Sequence, residues 1–393
     1  MRTIATATVY GFIAGALAAI VLHAMFLLEG LVWGHGGAVG PMRIFATVMA
    51  GGVIIAFLRA RDPASNFDSQ IADSQSGRPE PFAKATNLAV LGIVSVAFGG
   101  AIGPEAGVIA VIAELSNLVA ARIGRDVQER RLVRQIGIAG ALGGLYGSPP
   151  GGAGYADSKP EAPWAHLFLA ATTGVFGLVG TSNLLPGGHG LAIPLPVSAG
   201  SLLTDLPTLL LLLLPGLVGV AVAIFHLACR KGGGVLLSRL SGDIRLQVLA
   251  GSALFALVMA IWPELRFNGQ AELARISADP VLVGAIMLLG VALLKGLAMA
   301  LCLSAGWLGG PIMPLAFMGG CTGLAVAQLV PGLDPGLAAA VAVGATVTVG
   351  MGKPLVVLLV LVFTTTETKP LAIALGVGLG VVFNRFLPER PGH

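Results

Sequence analysis

The sequence has little charge and little cysteine. Only 11% of its 393 residues are Asp, Glu, Lys or Arg, whereas 55% are hydrophobic, and the mean hydropathy is +0.89. This composition excludes an ordinary soluble protein and predicts a polytopic membrane protein. Three cysteines without paired spacing and six scattered histidines indicate neither disulfides nor a metal site, and we expect no cofactor. The net charge of +4 is small, so nucleic acid is not an expected partner.

The chain is instead rich in apolar segments broken by glycine and proline, with 57 glycines and 24 prolines. Several of these segments are shorter than the ~20 residues of a full membrane span. We therefore predict an all-α fold class, a polytopic integral membrane protein with many short, broken and tilted helices. The predicted helices are Ile4–Leu28, Pro41–Leu58, Asn87–Phe98, Glu105–Val119, Ile136–Tyr146, Trp164–Val179, Leu206–Ala228, Ile244–Ile261, Pro280–Leu303, Leu315–Leu329, Leu337–Val349, Pro354–Phe363 and Leu371–Phe386.

Basic residues predict the orientation of these helices. The stretches Arg59–Lys84, Arg122–Arg134 and Arg230–Arg245 each carry several Arg or Lys residues. Cytoplasmic loops carry such an excess, so these stretches and both chain ends are expected in the cytoplasm. We expect a multi-pass protein of the bacterial inner membrane. The tail Arg385–His393 is short, and we expect no soluble regulatory domain.

A single carboxylate, Glu105, lies within residues 85–113, which hold no other charged residue. A charge at membrane depth costs a few kcal/mol or more and usually faces a bundle interior or an ion path. Gly103 and Pro104 predict a break before Glu105, which would then begin the next helix. Free N–H groups at a helix N-terminus attract anions, so Glu105 would act as a tethered competitor for an anion. The alternative is a Glu that only caps its own helix.

A similar break occurs in the second half of the chain, at residues 304–314. Interrupted helices at matching places in two halves are typical of inverted-repeat transporters with a site near the membrane midplane. We assign these inverted-topology halves to residues 1–230 and 231–393 of one membrane domain. Two helix N-termini that converge there would make a positive site for an anion.

In their order along the chain these motifs resemble those of the CLC family of chloride channels and chloride/proton antiporters. Gly103-Pro104-Glu105-Ala106-Gly107 resembles the family's Gly-x-Glu-Gly-Pro, and Gly310-Pro311-Ile312-Met313-Pro314 resembles Gly-x-Phe-x-Pro. The resemblance implies a homodimer with one pore per subunit and a gating role for Glu105. The anion-binding residues that it implies are Ser65, Gly103, Ala106, Gly107, Gly310, Ile312 and Met313.

The sequence also departs from the family pattern. Proton-coupled members carry an internal carboxylate where this chain offers only Asp157, and the family's pore tyrosine has no counterpart because no Tyr follows Tyr155. Pro104 and Pro311 have no N–H to offer an anion. Lys295 matches a basic position of the family, and it either draws anions toward the pore or extends to the cytoplasmic interface.

The function that we predict is transmembrane transport of chloride or a related small anion, with proton coupling left open. One alternative is a fluoride-selective exporter of the same family, and another is a non-conducting membrane scaffold. We do not expect an enzyme, because the chain has no His-Glu-x-x-His zinc motif and no Gly-x-Ser-x-Gly elbow. Membrane lipid and a second copy of the chain are the other expected partners. The predicted dimer contacts are Trp164–Val179, Leu206–Ala228 and the last two helices.

Overall fold

The protein is described here by a computed structural model that covers residues 2–34, 39–62, 82–156, 163–186, 191–198, 206–366 and 369–387. The regular structure in these ranges is helical, which confirms the predicted all-α class. Its α-helices are α1 (Arg2–Trp33), α2 (Pro41–Arg61), α3 (Phe82–Ala97), α4 (Glu105–Ile123), α5 (Val127–Leu145), α6 (Pro149–Ala156), α7 (Trp164–Ser182), α8 (Leu206–Leu240), α9 (Ile244–Ile261), α10 (Gln270–Ala278), α11 (Ala285–Ser304), α12 (Ile312–Leu329), α13 (Pro335–Met351), α14 (Pro354–Thr364) and α15 (Pro370–Asn384).

The helices include enough apolar spans for a multi-pass membrane protein. Within the described ranges, eight helices are long and apolar enough to cross a bilayer. They are α1, α2, α4, α7, α8, α9, α11 and α12. The shorter apolar helices α3, α13, α14 and α15 pack between them.

Local sequence signals explain most helix ends. Proline occupies the first turn of α2, α13, α14 and α15, where its missing N–H costs nothing. The predicted start of α5 at Ile136 is wrong, because the helix begins at Val127. The Asp126 side chain accepts the Glu129 N–H while Glu129 accepts the Arg125 N–H, and this capping stabilises a charged first turn that apolar periodicity does not mark.

The same order of helices and breaks occurs twice. A break at residues 98–104 separates α3 from α4, and a break at residues 305–311 separates α11 from α12. Later in each half a glycine with positive φ stands two residues before a proline that begins a helix: Gly147 (φ 57°) before Pro149 and Gly352 (φ 76°) before Pro354. The expected division after residue 230 falls inside α8, which is continuous. The division into two halves stays a prediction.

Glycines allow the helices around the site to pack closely. In the first half α1, α5 and α7 pack together, and a Cβ added to Gly174 would overlap the backbone of Gly140. In the second half α12 and α13 pack against each other, and nearly every residue of α13 is buried. Contact between backbones of this kind is typical of membrane helix bundles. The two breaks lie between these packed groups.

Candidate functional site

The two helix breaks meet in a direct backbone contact. Gly103 donates its N–H to the carbonyl of Gly310 at 2.8 Å, and Gly310 donates its N–H to the carbonyl of Gly103 at 2.9 Å. Each glycine is followed by a proline in N-cap position, Pro104 for α4 and Pro311 for α12. The structure therefore confirms two expectations, that Glu105 begins a helix and that the N-terminus of α12 lies beside it.

Two residues of the first half, Ser95 and Trp33, hold the first break in place. Ser95 accepts the Gly100 N–H through its carbonyl at 2.9 Å and the Leu308 N–H through its hydroxyl at 3.0 Å. The indole Nε1 of Trp33, at the end of α1, donates to the carbonyl of Ala97 at 2.9 Å. These bonds satisfy backbone groups that the interrupted helix leaves open, so the break is a built feature.

The second break is held by α2 and α9. The buried Arg59 donates through Nε to the carbonyl of Gly306 at 2.5 Å, and Trp307 donates through Nε1 to the Ser252 hydroxyl at 3.0 Å. Gly306 has a φ of 81°, which a side chain would strain. Arg59, which the sequence assigned to a basic loop, thus lies in the last turn of α2 and holds the second break.

Glu105 is the first residue of α4 and is fully buried at this junction. Its two carboxylate oxygens make no hydrogen bond of normal geometry among the described residues, and the Tyr146 side chain is in contact with them. The carboxylate lies against the Cα atoms of Gly103 and Gly310, because a Cβ added to either glycine would overlap it. An unpaired carboxylate buried in protein costs several kcal/mol unless fixed dipoles compensate it.

The compensating dipoles are the N-termini of α4 and α12. The first-turn N–H groups of a helix have no carbonyl partner in that helix, and each N-terminus carries about half a positive charge. Ala106, Ile312 and Met313 are buried in these first turns, whereas Gly107 packs against Gly92 of α3 and Met25 of α1. Two helix N-termini and one buried carboxylate thus lie together at this junction.

The remaining candidate residues either use their N–H groups elsewhere or lie outside the described residues. Gly103 and Gly310 use their N–H groups on each other, so their part in the site is the space that they leave beside Glu105. Ser65 and Asp157 lie outside the residues that the structure describes. Within the described residues there is no cluster of three or more His, Cys, Asp or Glu side chains that could hold a metal ion.

Two stacked tyrosines adjoin Glu105. Tyr146, at the end of α5, is buried and in electrostatic contact with the Glu105 carboxylate. Its ring stacks on that of Tyr155 in α6, with centroids 6.1 Å apart. The Tyr155 hydroxyl donates to Sδ of Met351 at 3.7 Å, and Nζ of Lys353 lies 5.8 Å from the Tyr155 ring. The site thus extends from Glu105 toward the start of α14.

Lys295 does not extend to an interface, so that expectation is wrong. It is fully buried in α11 and donates to the carbonyls of Leu265, Arg266 and Phe267 at 2.8, 3.4 and 2.7 Å. Three carbonyls satisfy an ammonium that lipid could not. The anchored segment reaches the first break, since Phe267 donates its N–H to the carbonyl of Gly99 at 3.4 Å.

The segment that Lys295 anchors also carries a cation close to the first break. The Arg266 guanidinium lies 4.5 Å from the Trp33 ring centroid. Burial lowers the pKa of Arg266, and the acidic neighbours Glu272, Glu264 and Glu29 oppose this shift. Arg266 therefore links α1 to the anchored segment.

Replacing Lys295 with Met should destabilise the protein, because three carbonyls would lose a buried donor. Each unsatisfied group costs about 1–3 kcal/mol. We expect Lys295→Met to lower the thermal unfolding midpoint of the detergent-purified protein by several degrees. The exposed Lys231 provides the control, and Lys231→Met should leave the midpoint unchanged. Equal midpoints for the two variants would contradict the anchoring role.

A comparison with known protein families agrees with this geometry. Residues 46–385 match the sequence profile of the family described as "Voltage gated chloride channel". The chain belongs to the CLC family. As a CLC protein it is an integral, multi-pass membrane protein of anion transport, in a family of channels and transporters.

This CLC protein also resembles individual proteins and structures. YfeO of Escherichia coli O7:K1 (strain IAI39 / ExPEC), provisionally named an ion-transport protein, is 23% identical over 356 residues, which are 85% of this chain and 81% of YfeO. A CLC-type fluoride/proton antiporter matches with a TM-score of 0.79 and 19% identity over 97% of this chain and 94% of its own. A slow cyanobacterial Cl-/H+ antiporter matches with a TM-score of 0.77 and 18% identity over 98% and 95%. These two structures show the fold.

Sequence reasoning missed the roles of Arg59, Ser95 and Tyr146. The sequence pattern places Arg59 at the start of a basic loop, and Ser95 lies inside an apolar run. A signal for Tyr146 was present, because Tyr146-Gly147-Ser148-Pro149 matches Met351-Gly352-Lys353-Pro354 in position and in its glycine and proline. That match marks Tyr146 as a residue at a second pair of breaks.

Proposed function

We propose that this CLC protein moves chloride, or a similar small anion, through a pore that the Glu105 carboxylate closes. One observation carries the proposal: a buried carboxylate that makes no hydrogen bond of normal geometry lies where two helix N-termini meet. An anion would satisfy the same N–H groups as the carboxylate. The ionised side chain and a transported anion therefore compete for one volume.

The donors available to that anion are few. We assign them to the backbone N–H groups of Glu105, Ala106, Ile312 and Met313, with Gly107 as a fifth from the first turn of α4. Pro104 and Pro311 contribute none, and Gly103 and Gly310 contribute space. Weak binding would suit a conducting site, because an ion must leave it as easily as it enters.

Fluoride is the second candidate for the transported anion. It is supported by the departures from both pore motifs and by the likeness to the fold of a fluoride/proton antiporter. The site chemistry serves either halide, because backbone N–H groups bind both.

We further propose a homodimer in the bacterial inner membrane, with both chain ends in the cytoplasm.

Flux from liposomes tests the proposed function. The purified protein is reconstituted into vesicles loaded with chloride or fluoride, and efflux is recorded with ion-selective and pH electrodes together. We expect chloride efflux far above that of vesicles that contain no protein. Fluoride efflux much faster than chloride efflux would favour the second candidate, and proton movement against a gradient would indicate coupling. Absence of efflux for both anions would instead favour the alternative of a non-conducting membrane scaffold.

A further inference from the structure

Tyr146 carries a buried hydroxyl group whose polar neighbour is the Glu105 carboxylate. The side chain is 1% exposed, and the hydroxyl oxygen makes no hydrogen bond among the described residues. A buried hydroxyl without a partner costs about 1–3 kcal/mol, and such groups are rare in native proteins. If the Glu105 side chain moves, the hydroxyl therefore needs another acceptor.

The Glu105 carboxylate is the acceptor beside this hydroxyl, and neither group makes a hydrogen bond of normal geometry to another described residue. The two groups are in electrostatic contact, yet no hydrogen bond of normal geometry joins them. One buried donor thus faces one buried acceptor in a volume that both border. A small anion that entered this volume could accept the hydrogen bond of the hydroxyl in place of the carboxylate.

We infer that Tyr146 is an anion-binding residue whose hydroxyl donates to the Glu105 carboxylate in the closed pore and to the transported anion in the open pore. The inference rests on the proposed role of Glu105 and adds a side-chain donor for a small monovalent anion in the volume that the carboxylate leaves. It places the hydroxyl donor of the pore in the first half of the chain, at the end of α5.

The surroundings of Tyr146 favour an anion over a cation. Its ring is fixed by the stack on Tyr155, and the Lys353 ammonium lies over the Tyr155 ring. The segments packed near Glu105, residues 93–104, 136–145 and 305–318, contain no ionisable side chain. In α1, Glu29 faces Arg266 and Glu272, and His23 is half-buried.

The test removes the hydroxyl with Tyr146→Phe, in the wild-type chain and in the Glu105→Gln chain. Tyr10 provides the matched control, because it is another buried tyrosine whose hydroxyl already bonds the Ser116 hydroxyl at 2.7 Å. Chloride binding to the detergent-purified protein is measured by calorimetry, and chloride flux against pH is measured in liposomes. Size-exclusion chromatography confirms that each variant is folded.

We expect Tyr146→Phe to weaken chloride binding to the Glu105→Gln chain about tenfold, because a hydrogen bond to a charged group is lost. In the wild-type chain it should move the pH of half-maximal flux upward, since the ionised carboxylate loses a donor and takes a proton at higher pH. Tyr10→Phe should change neither quantity. A merely structural role for Tyr146 would not move the pH profile.

Chloride binding and a pH profile unchanged by Tyr146→Phe would overturn the inference, while the result for Glu105→Gln alone would still decide the proposed gate. Tyr146→Met, which copies the residue at the matching place in the second half, supplies a second variant without the hydroxyl. If neither Tyr146→Phe nor Tyr146→Met gave folded protein, the hydroxyl would belong to folding and the inference would also fail.

Discussion

Chloride flux through Glu105→Gln should be high and nearly independent of pH. Under the proposal the ionised carboxylate of the wild-type protein occupies the anion position beside Gly310, so flux should rise as the pH falls and Glu105 takes a proton. Gln has the shape of the protonated side chain and cannot ionise. The variant should therefore match the acidic limit of the wild type at every pH, and any proton coupling should disappear.

The measurement is chloride efflux from liposomes across a pH series, with Glu114→Gln as the control. Glu114 is in the same helix, nine residues further along, and at 3.6 residues per turn it faces another direction. Glu114→Gln should keep the wild-type pH profile. A folded Glu105→Gln variant that also kept this profile would show that Glu105 only caps α4.

A side chain placed at Gly310 should close the pore again after Glu105 has been removed. Glu105→Ala should conduct and should hold one more anion, with apparent affinity higher by about tenfold, since removal of the competing charge is worth on the order of 1–3 kcal/mol. A Cβ on Gly310 falls inside the volume that the Glu105 carboxylate occupies. The double variant Glu105→Ala/Gly310→Val would fill that volume with apolar atoms, and its flux should fall at least about tenfold below that of Glu105→Ala.

Gly290 provides the matched control, because a Cβ there meets no atom within 4 Å. Glu105→Ala/Gly290→Val should conduct like Glu105→Ala. Flux is compared in liposomes at equal protein content, after chromatography has shown that both double variants are folded. Full conduction by the Gly310→Val double variant would mean that anions pass elsewhere.

The core of the candidate site could be predicted from the sequence because its signals are local. A Gly-Pro pair directly precedes a helix start, and this happens at Gly103-Pro104 and again at Gly310-Pro311. A lone carboxylate in an apolar stretch marked Glu105. These features do not depend on distant residues, so the break, the helix start and the burial of Glu105 could all be predicted from the sequence.

The residues that complete the site depend on contacts between distant segments. Arg59 and Gly306 are 247 positions apart, and Ser95 and Leu308 are 213 apart. Lys295 binds carbonyls in a loop about 30 residues earlier, which no periodicity reports. The start of α5 was missed for another reason: its first turn is charged and capped, so the apolar pattern begins later than the helix.

The most direct test of the account is the position of bromide in crystals of Glu105→Ala, located by its anomalous scattering. We predict a peak beside Gly310, in the volume of the missing carboxylate and within about 3.5 Å of backbone N–H groups in the first turns of α4 and α12. Wild-type crystals grown at high pH should lack this peak, because the ionised Glu105 occupies the volume. A Glu105→Ala structure with bromide bound only elsewhere, or with the same peaks as the wild type, would contradict the proposal that Glu105 and the anion share one site.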